Sequence, residues 1–244
     1  MLEIAHLRKV YEDGTLAVDD LNLTVRPGEV YVLLGANGAG KTTTIMLILG
    51  FTEPTAGTVK INGIDVQKDP LRAKQHIAYV SENVMLYGNF TARQNLEFFT
   101  ELSGRHATEE EYRAVFERVR LAKAAYRRRV RGFSKGMRQR LGIAIAILKQ
   151  AEVICLDEPT SGLDPKGGAD FLQIVQSLRD EGKAILMSSH DIFRARQIAD
   201  RIGIMRSGRI LAELGRKEFA EQDLEKLYLE YMEGVEAGAT SAEV

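Results

Sequence analysis

The sequence predicts an α/β fold with a parallel sheet and an antiparallel β part, and three features predict it. The apolar run EVYVLL (29–34) leads directly into a glycine-rich loop ending in lysine, GANGAGK (35–41), and then into a helix-compatible stretch. After residue 150, strand-like and helix-like segments alternate as βαβα units do, which implies a parallel sheet covered on both faces. The first 65 residues instead carry alternating, β-branched runs separated by turn dipeptides.

In chain order, LEIAHLRKV (2–10), LNLTVRPGEVYVLL (21–34) and GTVKINGIDV (57–66) are broken by Asp13-Gly14, Pro27-Gly28 and Asn62-Gly63. They predict short antiparallel strands before about residue 65. Thr91 with Gln94, and Thr108 with Glu111, have capping-box spacing, so residues 84–150 read as a helical insertion. Strand-like VICL (153–156) follows, then a helix from Pro165 with Asp164 as its cap and Gly182 near its end. Strand-like AILMS (184–188) and a helix near Asp191 complete the alternation. From Arg216, the spacing of Phe219, Leu224, Leu227, Tyr228 and Tyr231 predicts one amphipathic helix, with the small, polar GVEAGATSAEV (234–244) fraying beyond it. This gives one domain over 1–215 and a C-terminal helix and tail over 216–244.

Composition narrows the class. A chain of 244 residues, 45% hydrophobic and 27% charged, can bury a full core. Its formal net charge of -1 exerts no general pull on nucleic acid or anionic lipid. The basic run RRRVRGFSKGMRQR (127–140) has few interleaved aromatics, so no nucleic-acid partner is expected. One cysteine, Cys155, lies within an apolar run, where an inert buried thiol in a reducing compartment is expected. No apolar stretch reaches the roughly 20 residues of a membrane span, and MLEIAHLRK lacks the apolar core of a signal peptide. A soluble protein that stays where it is made is the expectation.

Gly35, Gly40, Lys41 and Thr42 satisfy G-x-x-x-x-G-K-[ST], with Asn37, Gly38, Ala39 and Thr43 completing the loop. Such a loop turns backbone N–H groups toward phosphate oxygens at a helix N-terminus, while its lysine reaches the β/γ-phosphates and its hydroxyl can ligate Mg²⁺. The expected ligands are therefore ATP or a related nucleotide, and Mg²⁺. At the end of VICL, Asp157 is placed to hold the metal and Glu158 to orient or deprotonate water.

GANGAGKTT, FSKGMRQRLGIA (133–144), VICLDEP, SGLD (161–164) and MSSHD (187–191) together resemble an ATP-binding cassette (ABC) ATPase, over roughly residues 2–212. The resemblance implies a RecA-like core with an antiparallel β subdomain and an α-helical subdomain. It implies that Ser134 and Gly136 cap the γ-phosphate of ATP held by a second copy, that Asp164 lies in the loop linking the two sites, and that His190 contacts the γ-phosphate. Tyr11 is carried over to the adenine. Phe133, Lys135 and Met137 depart from the usual LSGGQ, and Glu82 stands where glutamine is usual. Glu82 is carried over to the metal, contact with a membrane partner being the other role weighed.

This SxGM signature with a glutamate resembles ATPase subunits of bacterial ABC-2-type exporters. The implied partners are a second ATPase subunit and polytopic membrane permeases, with the chain peripheral on the inner face of the membrane. NVMLYGNF (83–90) is expected to line a groove for a permease helix. The alternatives are a soluble ABC ATPase in a non-transport assembly and a module that binds ATP without turnover. Against the first, the chain has neither a second cassette nor a coiled-coil insertion; against the second, both Glu158 and His190 are present.

Overall fold

A computed structural model describes residues 1–221 and 223–233. The chain opens with β1 (Leu2–Val10), β2 (Leu16–Val25) and β3 (Glu29–Leu34), then α1 (Lys41–Ile48), β4 (Ala56–Ile61), β5 (Ile64–Asp65), α2 (Pro70–Gln75) and β6 (Ile77–Val80). The helices α3 (Ala92–Leu102), α4 (Glu109–Arg118) and α5 (Lys135–Lys149) follow, with 3₁₀ turns at 123–125 and 130–132. Then come β7 (Val153–Asp157), α6 (Pro165–Asp180), β8 (Ala184–Ser189), α7 (Ile192–Ile198), β9 (Arg201–Arg206), β10 (Arg209–Gly215), α8 (Arg216–Glu221) and α9 (Leu224–Glu233).

Two sheets result. One has the order β2-β1-β4-β5 and is antiparallel; the other has the order β10-β9-β3-β8-β7-β6, parallel except for the edge strand β10. The expectation that all strands before residue 65 are antiparallel fails at β3, which crosses to the second sheet and pairs in parallel with β8 and β9. The physical reason is burial. Every residue of β3 is buried, with Val30, Val32 and Leu34 packed in the core beneath the helices and Tyr31 and Leu33 in the core beneath the antiparallel sheet. A strand apolar on both faces belongs in the middle of a covered parallel sheet.

Local signals set the helix starts. Thr91 and Thr108 form full capping boxes with Gln94 and Glu111. Ser134, Asp164 and Asp191 accept hydrogen bonds from the amides of Met137, Gly167 and Arg194 at the starts of α5, α6 and α7. The C-terminal segment corrects the single-helix expectation. A new start is set by Asp223, whose carboxylate accepts the amides of Glu225 and Lys226, so α8 stops and α9 begins. Phe219 and Leu224 are buried against the helical side of the core. The expected frayed tail, 234–244, lies outside the described residues.

Among the described residues no helix is long and apolar enough to cross a membrane. Cys155 is fully buried on β7, and burial pushes its thiol well above the usual range, as an inert core thiol requires.

Candidate active site

The parallel strands deliver their C-terminal ends to one edge of the sheet, where loops can collect polar groups from several strands. The loop after β3 supplies residues 35–40, β7 supplies Asp157 and then Glu158, β8 supplies Ser188 and Ser189, and the segment after β6 supplies Glu82. A cleft of ≈ 370 Å³ opens there, lined by Asn37 to Thr43 on one side, Glu82, Asp157 and Glu158 on another, and Tyr11 with Thr15 to Ala17 at its mouth.

Two glycines are dictated by the chain itself. A Cβ on Gly35 would overlap the carbonyl oxygen of Met205, and one on Gly40 would lie 2.5 Å from the carbonyl oxygen of Ala17. Gly40 also has φ 106°, in the region that favours glycine, and it starts α1 without any side-chain cap. The first amides of α1 thus face the cleft with no side chain competing for them.

Lys41 is only 5% exposed. Its ammonium donates to the carbonyl oxygens of Gly35 (2.6 Å) and Ala36 (3.1 Å) and lies 3.3 Å from Glu158 Oε1. Glu158 Oε1 is buried and accepts no hydrogen bond, whereas Oε2 is 2.8 Å from His190 Nδ1. The Glu158 backbone sits at φ 44°, left-handed for a residue with a side chain, a strained geometry of the kind that collects at functional sites. A carboxylate so poised between two cationic or polar partners can accept a proton or orient a water.

Asp157, 6% exposed, accepts a hydrogen bond from Ser188 Oγ at 2.6 Å and a long one from Thr42 Oγ1 at 3.4 Å, both on Oδ1. Tyr79 reaches its Oδ2 at 3.5 Å; burial first, and Asp157 second, push that phenol up to about 12, so it stays a donor. Ser188 also accepts the backbone N–H of Glu158 at 2.9 Å, tying the two adjacent carboxylates to β8. Sequence reading passed over Ser188; the signal was a hydroxyl in a strand whose every residue is buried.

The other candidates distribute unevenly. Tyr11 is 40% exposed at the cleft mouth, its ring 5.1 Å from Lys9 Nζ. His190 lines a neighbouring cleft of ≈ 140 Å³ with Glu158, Ser161, Gly162 and Arg194. Ser134 and Gly136, at the start of α5, line neither cleft. Glu82 lines the large cleft, but Lys135 Nζ (3.1 Å) and Ser161 Oγ (3.0 Å) both donate to its Oε1, and the Lys135 bond chiefly holds its carboxyl below the usual range.

The 83–90 segment is clamped by Asn95, whose side chain bonds the backbone N–H and carbonyl of Tyr87. Met85 is 84% exposed and Leu86 packs on the core. Tyr87 clusters with Phe90 and Phe98, its ring centroid 5.1 and 4.8 Å from theirs.

The chain is similar to known proteins over most of its length. A family profile described as ABC transporter matches residues 18–161. The chain is 39% identical to the ABC transporter ATP-binding protein NatA of Bacillus subtilis (strain 168), over 80% of each chain. It is 37% identical to the bacitracin transport ATP-binding protein BcrA of Bacillus licheniformis, over 95% of this chain and 74% of that one. A solved dimeric ATP-binding cassette in a post-hydrolysis state with ADP and Pi superposes with a TM-score of 0.80 at 26% identity, over 88% of this chain and 99% of that one.

Proposed function

The chain belongs to the ABC transporter family as an ATP-binding, ATP-hydrolysing subunit, and from that premise we propose that it drives an exporter of the ABC-2 type through ATP-dependent head-to-tail pairing of two copies. The observation that carries this reading is Glu158: a strained residue with one oxygen on His190 and the other buried beside the phosphate-loop lysine. BcrA, by its name, serves bacitracin transport, which favours a transporter over a soluble machine.

On this reading the amides of the loop and of α1 receive the phosphates, and Lys41 exchanges the carbonyl oxygens of Gly35 and Ala36 for phosphate oxygens of higher charge. Tyr11 offers the base a flat apolar face at the cleft mouth. Released from Lys41, Glu158 accepts the proton of a water aimed at the γ-phosphorus, and His190 steadies both the carboxylate and the γ-phosphate.

The side chains of Thr42, Asp157 and Glu82 that border the cleft all present oxygen. That fits Mg²⁺, which keeps waters and takes phosphate oxygens rather than demanding a protein cage. When bound, Mg²⁺ would offset charge on the β- and γ-phosphates.

Ser134 and Gly136 have no part in the cleft of their own chain, which favours their serving the ATP of a second copy, with Asp164 in the loop between the sites. Residues 83–90, with Met85 exposed and Tyr87 in an aromatic cluster, offer a permease helix an apolar seat. The helical insertion 84–150 would then relay closure to the membrane subunits, holding the chain peripheral on the inner membrane face, while α8 and α9 form a C-terminal appendage to the 1–215 domain.

Glu158→Gln tests the reading. Turnover should fall about 10²–10⁴-fold, the range for losing a general base, while nucleotide binding persists. The variant should dimerise with Mg·ATP by light scattering and return to monomer with ADP, and adding Ser134→Arg should prevent the dimer. Parental turnover would remove Glu158 from the role; an inactive variant that stays monomeric with ATP would remove the paired arrangement instead.

A further inference from the structure

Glu82 is held from one helix by two residues a turn apart. Gln139, fully buried, donates through Nε2 to the backbone carbonyls of Ser81 (3.0 Å) and Glu82 (2.6 Å), and Lys135 donates to the Glu82 side chain at 3.1 Å. The Lys135 side chain reaches it across Gly162, where a Cβ would lie 3.6 Å from Nζ, and Ser161 of the same loop adds its hydroxyl to the same carboxylate oxygen. The backbone is therefore fixed by Gln139 whatever the side chain does. Glu82 and Lys135 side chains are 43% and 33% exposed, a pair weak enough to open and close.

Three carboxylates, Glu82, Asp157 and Glu158, border one cleft. Glu158 is compensated by Lys41 and His190, and Asp157 by Ser188. Without a cation in the cleft, mutual repulsion favours Glu82 staying on Lys135; a divalent cation beside Asp157 reverses that preference.

Resting on the nucleotide reading above, we propose that Lys135 is a positioning residue that draws the Glu82 carboxylate onto α5 and competes with Mg²⁺ for it. The Glu82 carboxylate, already at the border of the cleft, then turns from Lys135 to the cation only when the cation is present, and the same exchange frees Lys135 at the start of α5. The head of α5, beside Ser134 and Gly136, thereby senses whether the cleft of its own chain is loaded.

The probe is a fluorescent ATP derivative at fixed concentration, titrated with Mg²⁺ against the full chain, with binding rather than turnover as readout. Lys135→Met should lower the Mg²⁺ midpoint about three- to fivefold, the bias a half-exposed ion pair supplies. Lys135→Arg should keep the parental midpoint. Glu82→Gln should raise it, and adding Lys135→Met to Glu82→Gln should change nothing further. A parental midpoint in Lys135→Met, or the same downward shift in the Glu82→Gln background, would overturn the proposal. A parent chain that binds no nucleotide would overturn the reading of the cleft and this inference with it.

Discussion

Gly40 caps α1 and Gly136 lies in the first turn of α5, the two helices that face phosphate in the proposed mechanism, and the chain accounts for only one of these glycines. At Gly40 a methyl group would strike the Ala17 carbonyl oxygen at 2.5 Å and the backbone holds φ 106°, so the fold itself demands glycine. At Gly136 an added Cβ would meet nothing closer than Leu163 Cδ2 at 3.5 Å, an ordinary contact. A glycine that its own chain does not need suits the proposed reading, in which the phosphate of a second copy's ATP approaches it from outside. On that reading the phosphate loop is a finished surface, and the head of α5 would be half of one.

Three substitutions sharpen that contrast on one stability scale, read by chemical denaturation of the nucleotide-free protein. Gly40→Ala should cost about 2–4 kcal/mol, combining backbone strain with a collision against main chain that cannot step aside, and should abolish ATP binding by equilibrium dialysis. Ser188→Ala should cost about 1–3 kcal/mol by stripping a buried carboxylate of its shortest hydrogen bond. Its turnover should fall at least tenfold as Asp157 and Glu158 lose their tie to β8. Gly136→Ala should leave stability within about 0.5 kcal/mol, or raise it slightly as alanine favours helix. ATP binding to the monomer should persist in that variant while ATP-dependent pairing, measured by light scattering in the Glu158→Gln background, disappears. Destabilisation by Gly136→Ala as large as by Gly40→Ala would erase the comparison.

The phosphate loop, the βαβα half and the helix caps were legible because each is local: Lys41 follows Gly40, Thr91 precedes Gln94, and Asp164 precedes Pro165. What escaped required neighbours distant in sequence. Pro27-Gly28 resembles a hairpin turn, and only the lack of alternation in EVYVLL marks β3 as a strand buried on both faces. The β9–β10 hairpin carried a Ser207-Gly208 turn signal that was not used; both residues adopt positive φ. Lys135 stands 53 residues from Glu82, and nothing in either segment names the other. Ser188 was visible as a polar residue in an apolar strand, but its two bonds go to Asp157 and Glu158, thirty-odd residues away.

The one thiol of this protein lies fully buried on β7, two residues before Asp157, and the sequence contains no tryptophan. A maleimide or nitroxide reagent that attacks exposed thiolates would therefore pass Cys155 by. A cysteine pair introduced on the solvent-facing sides of α5 and α6 would take up spin labels alone, and a single introduced indole would be the sole emitter of its kind. The natural chain is in effect its own labelling background, so movement between the helical insertion and the parallel sheet can be followed without first deleting a residue from the core beside Asp157 and Glu158.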